Sequence, residues 1–198
     1  MSGAIEKQLG VLADVCRRVQ SKYFIDNCCI AATRTGLCVL EELGVRKARP
    51  LLVAAAAFNG PFMRGERLPP AAYVAIDLDR RKEEGLAGHL VIIGKVGSRK
   101  FFLDLSAYQM DRPQKGIHVE SGILFAVYRP LSNSGPDWSL EVELPEGGQL
   151  VYGKHPHPGL GVSWEHSPNW TLPTERHRQD YGRVVQELLA AVREEASR

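Results

Sequence analysis

The stretch G-H-L-V-I-I-G-K-V-G-S-R-K-F-F-L-D-L, residues 88–105, contains two apolar runs separated by a short turn segment. Runs rich in Val, Ile and Phe on either side of Gly and Ser are typical of a β-hairpin. We therefore predict antiparallel strands over residues 89–96 and 100–105. This pairing would bring His89, at the start of the first strand, beside Asp104, near the end of the second.

The remainder of the chain predicts a few more strands. Short apolar runs bounded by Gly and Pro are the strand pattern, and they recur in four places: residues 50–58, 71–78, 123–128 and 140–144. Three stretches without such runs are interpreted as irregular: residues 59–70, 111–122 and 154–173. The sequence thus predicts one antiparallel sheet of about five or six strands.

Helices are predicted on both sides of this run of strands. Apolar residues spaced by threes and fours predict a first helix over residues 2–22. Asp26 or Asn27 can cap a second helix, which should continue to about residue 43 and stop at Gly44. Thr174 can cap a last helix with a clear apolar stripe. The predicted fold class is therefore α+β, with N-terminal helices packed on an antiparallel sheet and a C-terminal helix.

Composition limits the class of protein. A chain of 198 residues fits one globular domain, here residues 1–198. Its net charge of +2 does not favour nucleic acid as a partner. It has no apolar run of roughly 18 residues or more that could span a membrane, and no signal-peptide pattern. With four cysteines, two of them adjacent, we predict a cytoplasmic protein with free thiols.

The adjacent cysteines, Cys28 and Cys29, stand where the second helix is predicted to begin. Unpaired N–H groups and the positive end of the helix dipole stabilise a thiolate there, although a cysteine can also simply fill a core. The face of Cys29 continues through Thr33 and Gly36, and the small Gly36 would let another element approach. We therefore favour Cys29 over Cys28 as the reactive thiol and keep both as candidates.

The hairpin supplies the partners that such a thiol needs. A carboxylate beside an imidazole fixes its tautomer and stabilises the imidazolium, and an imidazole beside a thiol can take its proton. Cys29 or Cys28, His89 and Asp104 could therefore form a Cys–His–Asp triad for acyl transfer.

The segments C-C-I-A-A-T-R, V-L-E-E-L-G-V, G-H-L-V-I-I-G and F-L-D-L-S resemble, in this order, the transglutaminase-like and arylamine N-acetyltransferase-like branch of the papain-like cysteine enzymes. The resemblance covers residues 26–106. It implies a papain-like fold, a Cys29 or Cys28 nucleophile, His89 as general base and then acid, and Asp104 as the group that orients His89. Ile30 and Leu90 replace the aromatic residues that commonly follow the cysteine and the histidine in this family.

The activity expected from these residues is a cysteine-dependent acyl transfer without a cofactor. The substrate would be a peptide, a protein or a small acyl or amide compound, with water or an amine as acceptor. Tyr108 and Gln109, which follow the Asp104 strand, and Trp164 are candidate substrate-binding residues. The sequence leaves the oligomeric state open.

Two other functions are alternatives. An inactive member of the fold could serve as a protein-binding or assembly module. The C-terminal histidines, His155, His157, His166 and His177, could suggest a metal enzyme, but no acidic or Cys ligand spacing accompanies them and we predict no metal site.

Overall fold

The computed structural model describes residues 2–23, 29–66, 73–75, 88–156 and 164–198. Five helices and seven strands occur in these ranges, besides several short 3₁₀ turns. In chain order they are α1 (Ser2–Gln20), α2 (Cys29–Glu42), β1 (Arg49–Phe58), α3 (Gly60–Met63), β2 (Tyr73–Ala75), β3 (His89–Val96), β4 (Arg99–Asp104), β5 (Ile123–Val127), β6 (Ser139–Glu143), β7 (Gln149–Lys154), α4 (Pro168–Thr171) and α5 (Glu175–Ala196).

The strands form one antiparallel sheet in the order β5-β4-β3-β1-β7-β6, with β2 paired to β1. Helices pack on this curled sheet, and α5 is the last helix in the described residues. The predicted α+β class with a C-terminal helix is therefore confirmed at this level. The hairpin is confirmed too: Lys95 pairs with Lys100, and the turn consists of Gly97 and Ser98.

Both faces of the sheet are buried, which explains why β3 is apolar on both sides. On one face, the helix-side core joins β3 and β4 to the three long helices; it includes Leu12, Cys16, Leu40, Ile92, Leu103 and Leu188. On the other, the loop-side core is covered by the segments around β5 and β6; it includes Val53, Val91, Phe102, Met110, Leu131 and Tyr152. Buried strands lose the polar alternation of half-exposed ones.

The ends of the helices follow local chemistry. Gly44 has a φ of +83°, and the amides of Gly44 and Val45 bond back to the carbonyls of Glu41 and Leu40, which ends α2 as predicted. Thr174 Oγ1 accepts a hydrogen bond from the amide of His177 and caps α5 as predicted. Asp26 and Asn27, the predicted caps of α2, lie outside the described residues.

The structure differs from the sequence prediction in several segments. The sheet has a seventh strand, β7, that was not predicted, because the run L-V-Y between glycines is very short. The stretch 59–70, interpreted as irregular, contains α3, which Asn59 caps by accepting from the amide of Phe62. The stretch 154–173 contains α4, capped in the same way by Ser167. Of the strand predicted over residues 71–78, the described part is β2.

Candidate active site

The hairpin register sets the position of His89 relative to Asp104. Since Ile92 faces Leu103, continuing the register places His89 opposite Ser106, with Asp104 diagonally across on the same face. Nε2 of His89 lies 2.7 Å from Oδ2 of Asp104, and both side chains are 0% exposed. The predicted pairing of these residues is therefore present, as a buried hydrogen-bonded contact.

Asp104 is surrounded by hydrogen-bond donors. Tyr152 on β7 donates its hydroxyl to Oδ2 at 2.7 Å. Ser106 donates to Oδ1 from its backbone amide at 2.8 Å and from its hydroxyl at 3.1 Å. Burial alone would raise the pKa of Asp104, but the charge and hydrogen bond of His89, with the donors Tyr152 and Ser106, lower it below the usual value. Asp104 is thus held as a carboxylate.

His89 carries the complementary charge. Burial disfavours the imidazolium, but the negative charge and hydrogen bond of Asp104, together with Cys29, outweigh it and raise the pKa of His89 to about 10. The two side chains therefore form a buried ion pair at neutral pH.

Cys29 stands at the end of the sheet where β3 begins. It packs in one small cluster with Leu52 and Leu90, which face each other across β1 and β3. Cys29 is close enough to His89 to contribute, after Asp104, to the raised pKa of the imidazole. Nε2 of His89 is engaged by Asp104, and Nδ1 has no hydrogen-bond partner among the described residues. Nδ1 is therefore the ring nitrogen that remains available for proton transfer.

Two contacts hold α2 against β3 and so keep Cys29 in place. Thr33 donates its hydroxyl to the carbonyl of Leu90 at 2.9 Å. Gly36 lies so close to the sheet that a Cβ there would come within 2.3 Å of Leu105 and 2.8 Å of Ile92. The predicted close approach at Gly36 is confirmed.

The other cysteines have different surroundings. Cys16, Cys29 and Cys38 are free thiols. Burial raises the pKa of Cys16 to about 12, and burial also raises the pKa of Cys38. A raised pKa reduces the thiolate fraction, so both thiols should react more slowly than an unperturbed cysteine. Cys28, the second candidate nucleophile, lies outside the described residues.

The predicted substrate-binding residues are divided between two places. Trp164 packs against the cluster around Cys29 and makes an edge contact with Trp170, with ring centroids 4.4 Å apart. Arg34 lies over the Trp170 ring at 5.4 Å. Trp164 is thus beside the candidate nucleophile.

Tyr108 and Gln109 lie in a 3₁₀ turn just after Asp104, and they are not members of the cluster around Cys29. Tyr108 donates its hydroxyl to Gln20 at 3.3 Å and packs near Tyr181. The backbone amide of Gln109 donates a hydrogen bond to the carbonyl of Ser106. Their role as substrate contacts stays a prediction.

Sequence reasoning missed Tyr152 and Ser106. Ser106 had a signal, because a serine two residues after the candidate Asp, in D-L-S, is placed to donate back to it. Tyr152 had none, because its strand was not predicted.

His155, considered only as a possible metal ligand, is 1% exposed and lies against Gly88, where a Cβ would come within 2.7 Å of its ring. Gly88 has a φ of +115°, which favours glycine just before His89.

In the described ranges, no three His, Cys, Asp or Glu side chains gather as a possible metal site, and no helix is long and apolar enough to cross a membrane. His157 lies outside those ranges. When the chain was compared with protein-family models, curated proteins and solved structures, none of the three comparisons gave a match.

Proposed function

We propose that this protein is a cysteine-dependent acyl-transfer enzyme of a papain-like, transglutaminase-like fold, with Cys29 as nucleophile. One observation carries the proposal: the fully buried His89–Asp104 pair lies close to the thiol of Cys29, the first described residue of α2. Buried ion pairs are costly to desolvate, and perturbed pKa values cluster at functional sites. The free thiols of Cys16, Cys29 and Cys38 support a reducing, cytoplasmic location.

In the proposed reaction the Cys29 thiolate attacks the carbonyl carbon of an amide or ester. The C–S bond forms, and the new oxyanion is stabilised by the unpaired N–H groups at the start of α2. As the intermediate collapses, Nδ1 of His89 gives its proton to the leaving nitrogen or oxygen, and the bond to that atom breaks. A thioester on Cys29 remains.

Water or an amine then attacks the thioester and gives its proton to Nδ1 of His89. The C–S bond breaks, so Cys29 is restored as a thiolate beside an imidazolium. Asp104 keeps its charge throughout and holds the imidazole by Nε2, the role of the carboxylate in a triad. Peptides, proteins and small amides are all compatible with these steps.

The proposal is tested with an activated ester, p-nitrophenyl acetate, with and without a primary amine. We expect the wild type to become acetylated on a cysteine and to turn over, and Cys29→Ser to do neither. Cys38→Ser, which changes a cysteine on the same helix, is the matched control and should behave as wild type. A faster reaction with the amine identifies a transferase, and an unchanged rate identifies a hydrolase.

Cys28→Ser separates the two candidate nucleophiles. If this variant is inactive and Cys29→Ser is active, the nucleophile is Cys28. If no variant changes the rate, the enzyme assignment fails. The second candidate function, a binding module without catalysis, is favoured by the small exposure of Cys29, which is only 8%.

A further inference from the structure

A second feature, unconnected with the thiol, is a cavity of about 250 Å³ at the other end of the sheet. Its walls come from the start of β1, the turn end of the β3–β4 hairpin and the segment after β5. Five of the lining side chains are basic and none is acidic; the basic ones are Lys47, Arg49, Lys95, Lys100 and Arg129.

The sheet register forces several of these cations together. Lys95 is paired directly with Lys100 across β3 and β4. Arg49 faces Ile93 across β1 and β3, and Lys47, two residues before Arg49, lines the same cavity as Lys95. Like charges at directly opposed positions destabilise a sheet. The folded protein therefore carries a repulsion that an anion in the cavity would relieve.

The cations are not neutralised by the protein. Lys47, Lys95, Lys100 and Arg129 have no ion pair or hydrogen bond within the described part of the chain, although other surface cations, such as Arg99 and Lys154, pair with carboxylates. Among the described residues, Arg49 donates only to the carbonyl of Leu131. The positive charge at the rim is thus available to a ligand.

The floor of the cavity is apolar. Ile93, Val127 and Leu131 line it and are buried members of the loop-side core. A ligand that fits both parts has an anionic group for the rim and an apolar or flat portion for the floor. Ligand sites commonly combine an apolar lining with a few charged groups in this way.

The cavity is separate from the candidate active site. His89 and Lys95 lie at opposite ends of β3, and six residues of strand span roughly 20 Å. The inference below therefore does not depend on the proposed acyl transfer.

We propose that the cavity bounded by Lys47, Arg49, Lys95, Lys100 and Arg129 binds a small molecule that carries phosphate groups. Clustered Lys and Arg side chains recognise phosphate by charge-assisted hydrogen bonds. A nucleic-acid strand fits less well, because it needs a basic stripe along the surface, whereas here the cations surround one concavity in a protein of net charge +2.

Isothermal titration calorimetry at low salt tests the proposal, with adenosine 5′-diphosphate, pyrophosphate and uncharged adenosine as probes. The test variant is Lys95→Gln/Lys100→Gln. The control, Lys7→Gln/Arg193→Gln, removes the same charge from exposed positions on α1 and α5. We expect the two phosphate probes to bind the wild type and the control, and to bind the test variant roughly tenfold or more weakly. Adenosine should not bind.

Tighter binding of adenosine 5′-diphosphate than of pyrophosphate identifies a ligand with an apolar part on the floor, whereas equal affinity identifies an inorganic anion.

Without ligand, the test variant should melt at the same or a higher temperature than the wild type, because the Lys95–Lys100 repulsion is gone. When a phosphate probe is added, the melting temperature of the test variant should rise less than that of the wild type. No saturable binding to the wild type, or equal loss in both double variants, overturns the proposal. Tighter binding of a single-stranded oligonucleotide than of either probe also overturns it.

Discussion

Tyr152 and His89 share one oxygen atom of Asp104: the tyrosine hydroxyl and the imidazole Nε2 each lie 2.7 Å from Oδ2. All three side chains are fully buried. The negative charge of the Asp104 carboxylate is therefore stabilised by a residue of β7 as well as by a residue of β3. These two strands are separated by β1.

Tyr152→Phe tests this arrangement, because it removes the hydroxyl and keeps the ring. Hydrogen bonds to charged groups are worth about 1.5–3 kcal/mol, and we expect the free energy of unfolding to fall by about that amount. The hydroxyl lowers the pKa of Asp104, so its loss should raise that pKa. The acid limb of the pH–rate profile for Cys29 alkylation should then move to higher pH.

Tyr128→Phe is the control for this change, because Tyr128 is 97% exposed. Both its stability and its profile should match the wild type. An unchanged acid limb in Tyr152→Phe, despite a loss of stability, would mean that the hydroxyl only supports the fold.

Asp104→Asn tests the mechanism. The amide supplies no charge, so burial should dominate and lower the pKa of His89, leaving a neutral imidazole beside the thiol. We expect turnover of the activated ester to fall by about 10² to 10⁴, or roughly 3–5 kcal/mol in activation free energy. Urea unfolding of the same sample reports whether the fold persists.

The control for Asp104→Asn is Asp137→Asn, which changes an exposed carboxylate that pairs with Lys154. It should keep full turnover. If Asp104→Asn unfolds the protein while the remaining folded fraction reacts at the wild-type rate, then Asp104 is a structural residue and the triad is wrong.

The His89–Asp104 pair also predicts how stability depends on pH. The pKa of His89 is raised from its usual 6.5 to about 10, so its contribution is full below pH 6.5 and is lost as the pH rises through 10. The pKa of Asp104 is lowered from its usual 3.8, so its contribution is full above pH 3.8 and is lost as the pH falls through the native value. The combined contribution should be largest between these two usual values.

Urea unfolding at a series of pH values measures this dependence, with His89→Gln/Asp104→Asn as the reference. The difference in unfolding free energy between wild type and reference should decline from pH 6.5 towards pH 10. A difference that stays flat over this range would show that His89 is neutral in the native state.

Gly36→Ala tests whether the distance between α2 and the sheet controls the thiol. The added methyl group would overlap Leu105 and Ile92, so the helix must shift or these side chains must move. Overpacking of this kind costs about 1–3 kcal/mol. We expect slower labelling of Cys29 by iodoacetamide, measured by mass spectrometry.

Gly10→Ala on α1 is the matched control, because a Cβ at Gly10 meets nothing within 4 Å. It should leave labelling unchanged and raise stability by up to about 1 kcal/mol through helix propensity. Equal labelling rates in both variants would contradict the positional role of Gly36.

The hairpin could be predicted from the sequence because everything that defines it is local. Two apolar runs and a Gly-Ser turn fix the register, and the register alone places His89 near Asp104. The C-terminal end of α2 and the N-terminal end of α5 could also be predicted from the sequence. Gly44 and Thr174 determine these ends through hydrogen bonds to residues close by in the chain.

The rest of the site depends on contacts between distant parts of the chain. Tyr152 donates a hydrogen bond to Asp104 from another strand of the sheet. Nothing in the segment Q-L-V-Y-G-K indicates this contact. The burial of both sheet faces, which removes His89 and Asp104 from solvent, also follows from packing rather than from a motif. For the same reason, the sequence could not show that Tyr108 donates its hydroxyl to Gln20 of α1.

The position of β1 between β3 and β7 has a consequence for the order in which the protein is assembled on the ribosome. The β3–β4 hairpin is synthesised early and can pair with β1 at once, whereas the hydroxyl of Tyr152 arrives only with β7, and α5 packs on α1 later still. Contacts between distant residues form late in folding. A nascent chain that ends before β7 therefore contains Cys29, His89 and Asp104 but lacks the Tyr152 hydroxyl that donates to Asp104. The hydrogen bonding of the Asp104 carboxylate is thus completed only after β7 has been synthesised.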